Sequence, residues 1–249
     1  MRDKKEKSQR IKMVQKEVTV FKAALIFLAG TLYFFLLLFT LLPFLKSNFS
    51  LNPALYWFST GYFLFIPLFI YAVIMVKVEG SKGIKQIMSA LNIRPFTKKD
   101  LRYSIVGLVL VFIFTGLVFG ASFLLNKYFG IGMLNTTPWF MEMRPFQGAE
   151  KLLLLVWLPM FFFNIAGEEI LWRGYIQTRL RGKYSWLLCS LLWLLFHLPF
   201  GLDLMIMAVP AIIIIPYVFH KTKNTLVGIF THGMFNGPMF VAITLAWIK

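Results

Sequence analysis

Apolar residues in this chain come in long blocks, and the polar residues between them set the elements. Residues 18–44 form a first block that ends near Pro43, and residues 53–76 form a second, with a short polar exit at 46–52 between them. A spanning helix needs about 20 predominantly apolar residues, so each block predicts a span. Residues 77–102 break the pattern. They are strongly basic, yet Ile84, Ile87, Met88 and Leu91 recur at helical spacing beside Lys82 and Lys85, which predicts a short amphipathic helix in the headgroup plane. A third span follows over 103–125, where Gly116 and Gly120 stand at GxxxG spacing and predict a close-packed face. Residues 126–149, with Gly130, Gly132, Pro138 and Pro145, read as a loop that dips toward the interface at Trp139 and Phe140.

A fourth span begins near Glu150 and passes through the apolar run 152–163 into Asn-Ile-Ala-Gly-Glu-Glu-Ile-Leu-Trp-Arg, residues 164–173. Residues 174–183 then read as a basic amphipathic stretch with Tyr175, Ile176 and Leu180 facing one way. Two short spans are predicted at 184–197, broken by Pro199 and Gly201, and at 202–219, with internal Pro210 and Pro216. A seventh covers 225–248, interrupted by Gly233, Gly237 and Pro238. Such interruptions are tolerated where they are buried or line a cavity, and they gather in the last three spans. The prediction is an all-α, polytopic membrane helix bundle of about seven spans plus interfacial amphipathic helices.

Composition agrees: 59% hydrophobic and 18% aromatic residues over 249 positions, with a mean hydropathy of +0.73, exclude a soluble domain of ordinary surface-to-core ratio. The net charge of +16 would suit a nucleic-acid partner only if the cations shared a face, and here they sit between apolar blocks. Anionic lipid headgroups are the expected partner of the basic segments, above all of residues 1–22 with their eight Lys/Arg. With the N-terminus cytoplasmic, inner segments hold twenty-one Lys/Arg and outer segments five, a positive-inside distribution. One cysteine, Cys189, excludes an intrachain disulfide or a cysteine-based metal cluster.

Two adjacent carboxylates and an arginine at the end of a span are costly in lipid, about 2.5–3.5 kcal/mol per charge on insertion scales, so each needs a partner. Glu169 and Arg173 are four apart and stack on one helical face, whereas Glu168 is rotated by about 100° and lacks that partner. His197 and His232 lie within apolar spans, and Asn236 follows His232 by one turn; His220, beside Lys221, reads as interfacial. A carboxylate with a histidine can hold and deprotonate a water, while a second histidine with an asparagine can donate to an oxyanion. That is a set for hydrolysing an amide.

Glu-Glu-x-x-x-Arg (Glu168, Glu169, Arg173), an aromatic four residues before a histidine (Trp193, His197) and His-x-x-x-Asn (His232, Asn236) on successive apolar segments resemble the CPBP family of intramembrane proteases. This family includes type II CAAX prenyl endopeptidases and the bacterial Abi proteins of bacteriocin processing and immunity. The resemblance covers about residues 91–237 and departs at Trp193, where the family usually has phenylalanine; a larger ring there is expected to narrow the cavity. It implies Glu168 as general base on water with His197, His232 and Asn236 as oxyanion stabilisers, and Glu169, Arg173 and Trp193 as structural support. No cofactor is expected. The alternative, a zinc enzyme, would use Glu168, His197 and His232 as ligands, but His-Glu-x-x-His is missing and asparagine is a poor zinc ligand.

The chain then divides into a basic cytoplasmic tail (1–17), N-terminal spans (18–90) and a CPBP/Abi-like protease domain (91–249). Its expected function is endoproteolysis of a membrane-associated peptide or protein in a cytoplasm-facing cavity, in a bacterial plasma membrane. Two alternatives stand beside it: a non-catalytic protein of the same fold, acting as an immunity factor or a regulator of a signalling protein, and a transporter, which would more often carry an internal repeat. Depth adds a constraint. Were Arg173 at the surface, Glu168 would lie only about 7 Å deep; with the surface at Arg179 and Arg181 it lies about 16 Å deep, near His232 at roughly 12 Å and His197 at roughly 21 Å. Arg173 is therefore expected to be buried, on a helix that continues past it.

Overall fold

The structure, a computed structural model, describes residues 16–247. Most of the basic tail predicted at 1–17, and Lys249, lie outside the described residues.

Local chemistry sets the helix boundaries. Helix α1 (Val20–Asn48) starts behind Thr19, whose hydroxyl accepts from the Lys22 amide, and passes through a π turn at Leu37–Leu41. Asn52 caps α2 (Pro53–Val78), with proline in the first turn, where a missing N–H costs nothing. After the short α3 (Ile84–Ala90), a reciprocal pair of hydrogen bonds between Thr97 and Asp100 opens α4 (Lys98–Phe129), which ends on left-handed Gly130. Helix α5 (Gly148–Gln177) begins as a 3-10 turn and turns π-helical from Glu169; α6 (Ser185–Phe200) includes a final 3-10 turn after His197. Helices α7 (Leu202–Thr222) and α8 (Thr225–Thr244) complete the bundle, the latter capped by Asn224.

Among the described residues six helices, all but α3 and α6, are long and apolar enough to cross a membrane, and there is no strand. Their outward faces carry large apolar side chains such as Phe21, Leu117 and Leu155. Such a surface is stable only in lipid, and the chain is an integral membrane protein. Of the two short spans expected at 184–197 and 202–219, only the second forms a helix long and apolar enough to cross a membrane. Helix α6 is the shorter element, and its C-terminal turn is met by the loop at 130–147: Trp139 Nε1 donates to the Pro199 carbonyl at 2.9 Å and the Asn135 amide to Asp203 at 3.0 Å. Phe140, from the same loop, is buried among Phe34, Trp57 and Phe200.

Three expectations change. Gly116 and Gly120 do not form a close-packed face, since a Cβ at either would meet nothing within 4 Å; α4 is the least buried of the six long helices and turns this stripe outward. Close approaches occur at other glycines, chiefly Gly167, where a Cβ would lie 2.6 Å from the Phe65 carbonyl oxygen and so force α2 and α5 apart. Gly233, Gly237 and Pro238 do not interrupt the last span, because α8 runs through them as one helix. Residues 174–177 are not an interfacial amphipathic stretch either. Every residue from Glu169 to Gln177 is buried, because the helix continues into the bundle, and the chain reaches the basic end only at Arg179 and Arg181.

Candidate active site

Of the polar residues predicted on three spans, Glu168, Glu169, Arg173, His197 and His232 meet at Trp193 and at one another while Asn236 does not join them, and the π-helical end of α5 begins where they meet. Glu168 is the last α-helical residue and Glu169 the first of the π turn, a distortion found often at functional sites. That turn is clamped on the basic end by residues 91–92: a Cβ at Gly174 would lie 2.9 Å from the Leu91 carbonyl oxygen. The same carbonyl accepts from Thr225 Oγ1, and Asn92 reaches Thr178 Oγ1 at 2.8 Å. Nearby, Arg179 pairs with Glu79 at 2.8 Å and stacks on Tyr175, whose hydroxyl donates to Glu79 as well. These contacts fix α5 to the ends of α2 and α3 and to the start of α8.

Arg173 is buried and paired, as the depth argument requires. Its Nε lies 3.2 Å from Glu169 Oε2 with both side chains 0% exposed, and its guanidinium stacks 3.5 Å from the Trp193 ring centroid. Nη1 and Nη2 have no hydrogen-bond partner, so the carboxylate and the aromatic face are what compensate the buried cation.

Glu168 has partners that helical phase did not disclose. Trp193 Nε1 donates to its Oε2 at 2.7 Å, and Asn164 Nδ2, one turn earlier on α5, donates to Oε1 at 3.2 Å. Trp193 therefore does more than narrow a cavity. Its ring also meets the edges of both imidazoles, with centroids 5.2 Å from His197 and 5.3 Å from His232.

Hydrogen bonding constrains the imidazole tautomers. His197 Nδ1 lies 2.8 Å from the Trp193 carbonyl oxygen, which only accepts, so Nδ1 carries a proton and Nε2 presents the lone pair in the neutral ring. His232 Nδ1 faces Glu169 Oε1 at 3.0 Å. Paired with Arg173, Glu169 is an acceptor, so a neutral His232 likewise presents a bare Nε2. Glu169 thus joins Arg173 and His232, a link not visible in the sequence. Gly228, one turn before His232, makes room for it: a Cβ there would collide with the Glu169 carboxylate. Asn236, one turn after His232, is exposed and makes no side-chain hydrogen bond among the described residues.

Among the described residues no group of three or more His, Cys, Asp or Glu side chains is arranged to hold a metal ion. His220 lies apart from the site, with its Nδ1 buried and unpartnered.

Residues 150–237 match the family model described as type II CAAX prenyl endopeptidase Rce1-like. Over this segment, about a third of the chain, the protein is similar to the CAAX protease-like family. The segment contains every candidate residue from Asn164 to Asn236, whereas the N-terminal spans that pack on it at Gly167 fall outside the match. No curated protein and no solved structure matches the chain.

Proposed function

We propose that the chain is an intramembrane endopeptidase that hydrolyses a peptide bond of a membrane-associated peptide or protein, with Glu168 as general base. The observation that carries this reading is the meeting of Glu168, His197 and His232 from three helices around the Trp193 ring, inside a helical bundle. The family match supports the reaction class.

In the step envisaged, a water held between Glu168 and His197 Nε2 gives one proton to the Glu168 carboxylate as its oxygen adds to the substrate carbonyl carbon. The carbonyl π electrons move to oxygen. Asn236 Nδ2 donates to that oxyanion, and His232 does so from Nε2 when the ring is an imidazolium, its charge then facing Glu169. Collapse expels the amine, which takes up the proton from Glu168. Glu169 and Arg173 hold His232 and Trp193. We assign no step to a metal.

The cavity is read as opening toward the Lys/Arg-rich end, taken as cytoplasmic, in a bacterial plasma membrane whose anionic headgroups bind the basic segments. Peptide precursors such as those of pheromones or bacteriocins are the substrates envisaged. The test uses purified full-length protein in liposomes with two quenched fluorogenic peptides, one prenylated with a CAAX end and one an unmodified amphipathic precursor. Wild-type protein should cleave at least one, in the presence of chelator, while Glu168→Ala and His197→Ala variants that still insert should not. Cleavage at the wild-type rate by Glu168→Ala overturns the reading; absence of cleavage together with a cellular phenotype that both variants retain favours a non-catalytic membrane regulator.

A further inference from the structure

We infer that Trp193 is a positioning residue for Glu168: its indole N–H holds Oε2, so that Oε1 is the oxygen that takes the proton from water. The inference rests on Glu168 acting as the base.

The geometry that points to it is specific. The Nε1–Oε2 distance is 2.7 Å in a side chain that is only 1% exposed, and a donor bonded to a carboxylate in such surroundings is among the stronger hydrogen bonds. The indole has little freedom to leave. Arg173 covers its face at 3.5 Å, and the edges of His197 and His232 stand against it with interplanar angles of 80°. The second contact of Glu168, from Asn164, is longer at 3.2 Å and comes from a half-buried residue, which puts Oε1 on the more open side of the carboxylate. The terminal torsion of a glutamate is broad and roughly two-fold, so without the indole the two oxygens can exchange places and the carboxylate plane can swing. A phenylalanine at 193 would fill most of the same space without the donor.

Losing this bond should act on the chemical step. A hydrogen bond to a charged group corresponds to roughly a 10- to 100-fold effect, so Trp193→Phe should lower kcat by about that factor while leaving KM within about twofold. A residue that only fills space would affect the amount of folded protein, or kcat and KM together.

The bond can be read without any substrate. In full-length protein labelled with 5-fluorotryptophan, the seven tryptophans give fluorine resonances of which Trp193 is the one lost in Trp193→Phe; the remaining six report that the variant is folded. In Glu168→Ala the Trp193 resonance should move while those distant from the site hold. Should Trp193→Phe fail to fold, a Glu168→Ala spectrum in which none of the seven resonances moves overturns the inference. A Trp193 resonance unaffected by Glu168→Ala overturns the inference, as does a Trp193→Phe variant that cleaves the fluorogenic peptides with wild-type kcat. Should wild-type protein cleave neither peptide, the hydrolytic reading falls and the positioning role with it, and a resonance that still moves shows that the bond exists for another reason.

Discussion

Removing either member of the buried pair Glu169–Arg173 should destabilise the protein far more than removing both. Both side chains are 0% exposed, and breaking a buried pair by deleting one partner costs about 3–5 kcal/mol because the other charge is left uncompensated. The two halves differ. In Arg173→Met the Glu169 carboxylate still accepts from His232 Nδ1, 3.0 Å from Oε1, which places the cost near the lower end, about 3 kcal/mol. In Glu169→Gln the guanidinium keeps only the Trp193 face, its Nη1 and Nη2 having no hydrogen-bond partner; a desolvated cation–π contact of about 2 kcal/mol leaves most of the penalty standing, so about 4–5 kcal/mol is expected. The double variant should cost less than either single variant, since neither charge is then left uncompensated, and so fall well below the sum of the two. Reversible unfolding in mixed detergent micelles, followed by tryptophan fluorescence, measures all four proteins. Two single variants within about 0.5 kcal/mol of wild type, or strict additivity in the double, would refute the reasoning.

Glycine substitutions separate true helix contacts from apparent ones: Gly167→Val pushes a branched side chain into the Phe65 carbonyl and should cost about 3 kcal/mol or prevent folding. Gly116→Leu, where a Cβ meets nothing within 4 Å, should express and melt like wild type; the reverse order in a thermal-melt comparison would contradict the packing. Gly228→Ala displaces the Glu169 carboxylate and should lower the cleavage rate at least tenfold while the protein still inserts, since it separates His232 from Glu169 without touching either residue's identity; an unchanged rate would show that the Glu169–His232 contact is dispensable.

Span positions were legible because lipid imposes a simple rule on composition, so the apolar blocks became helices nearly where the pattern placed them. Pairing at Glu169 and Arg173 was legible too, because four-residue spacing is local and survives the π turn that starts there. Contacts between helices were not. The bond from Trp193 to Glu168, 25 residues apart, and that between His232 and Glu169, 63 apart, depend on how α6 and α8 are rotated against α5, and apolar faces in a membrane bundle leave no sequence periodicity that fixes rotation. Asn164 offered a usable signal, four residues before Glu168, and Gly228 a weaker one, four before His232. The outward stripe at Gly116 and Gly120 shows the opposite failure: a spacing that permits close packing does not supply a neighbour.

Glu168 as the base is the centre of the proposed hydrolysis. The measurement is the single-turnover cleavage rate of one membrane-reconstituted fluorogenic peptide by wild-type protein and by Glu168→Gln, both in chelator and both with the same thermal melt. A fall of at least 100-fold in the variant, with peptide binding retained, is the predicted result. Equal rates in the two proteins would contradict it.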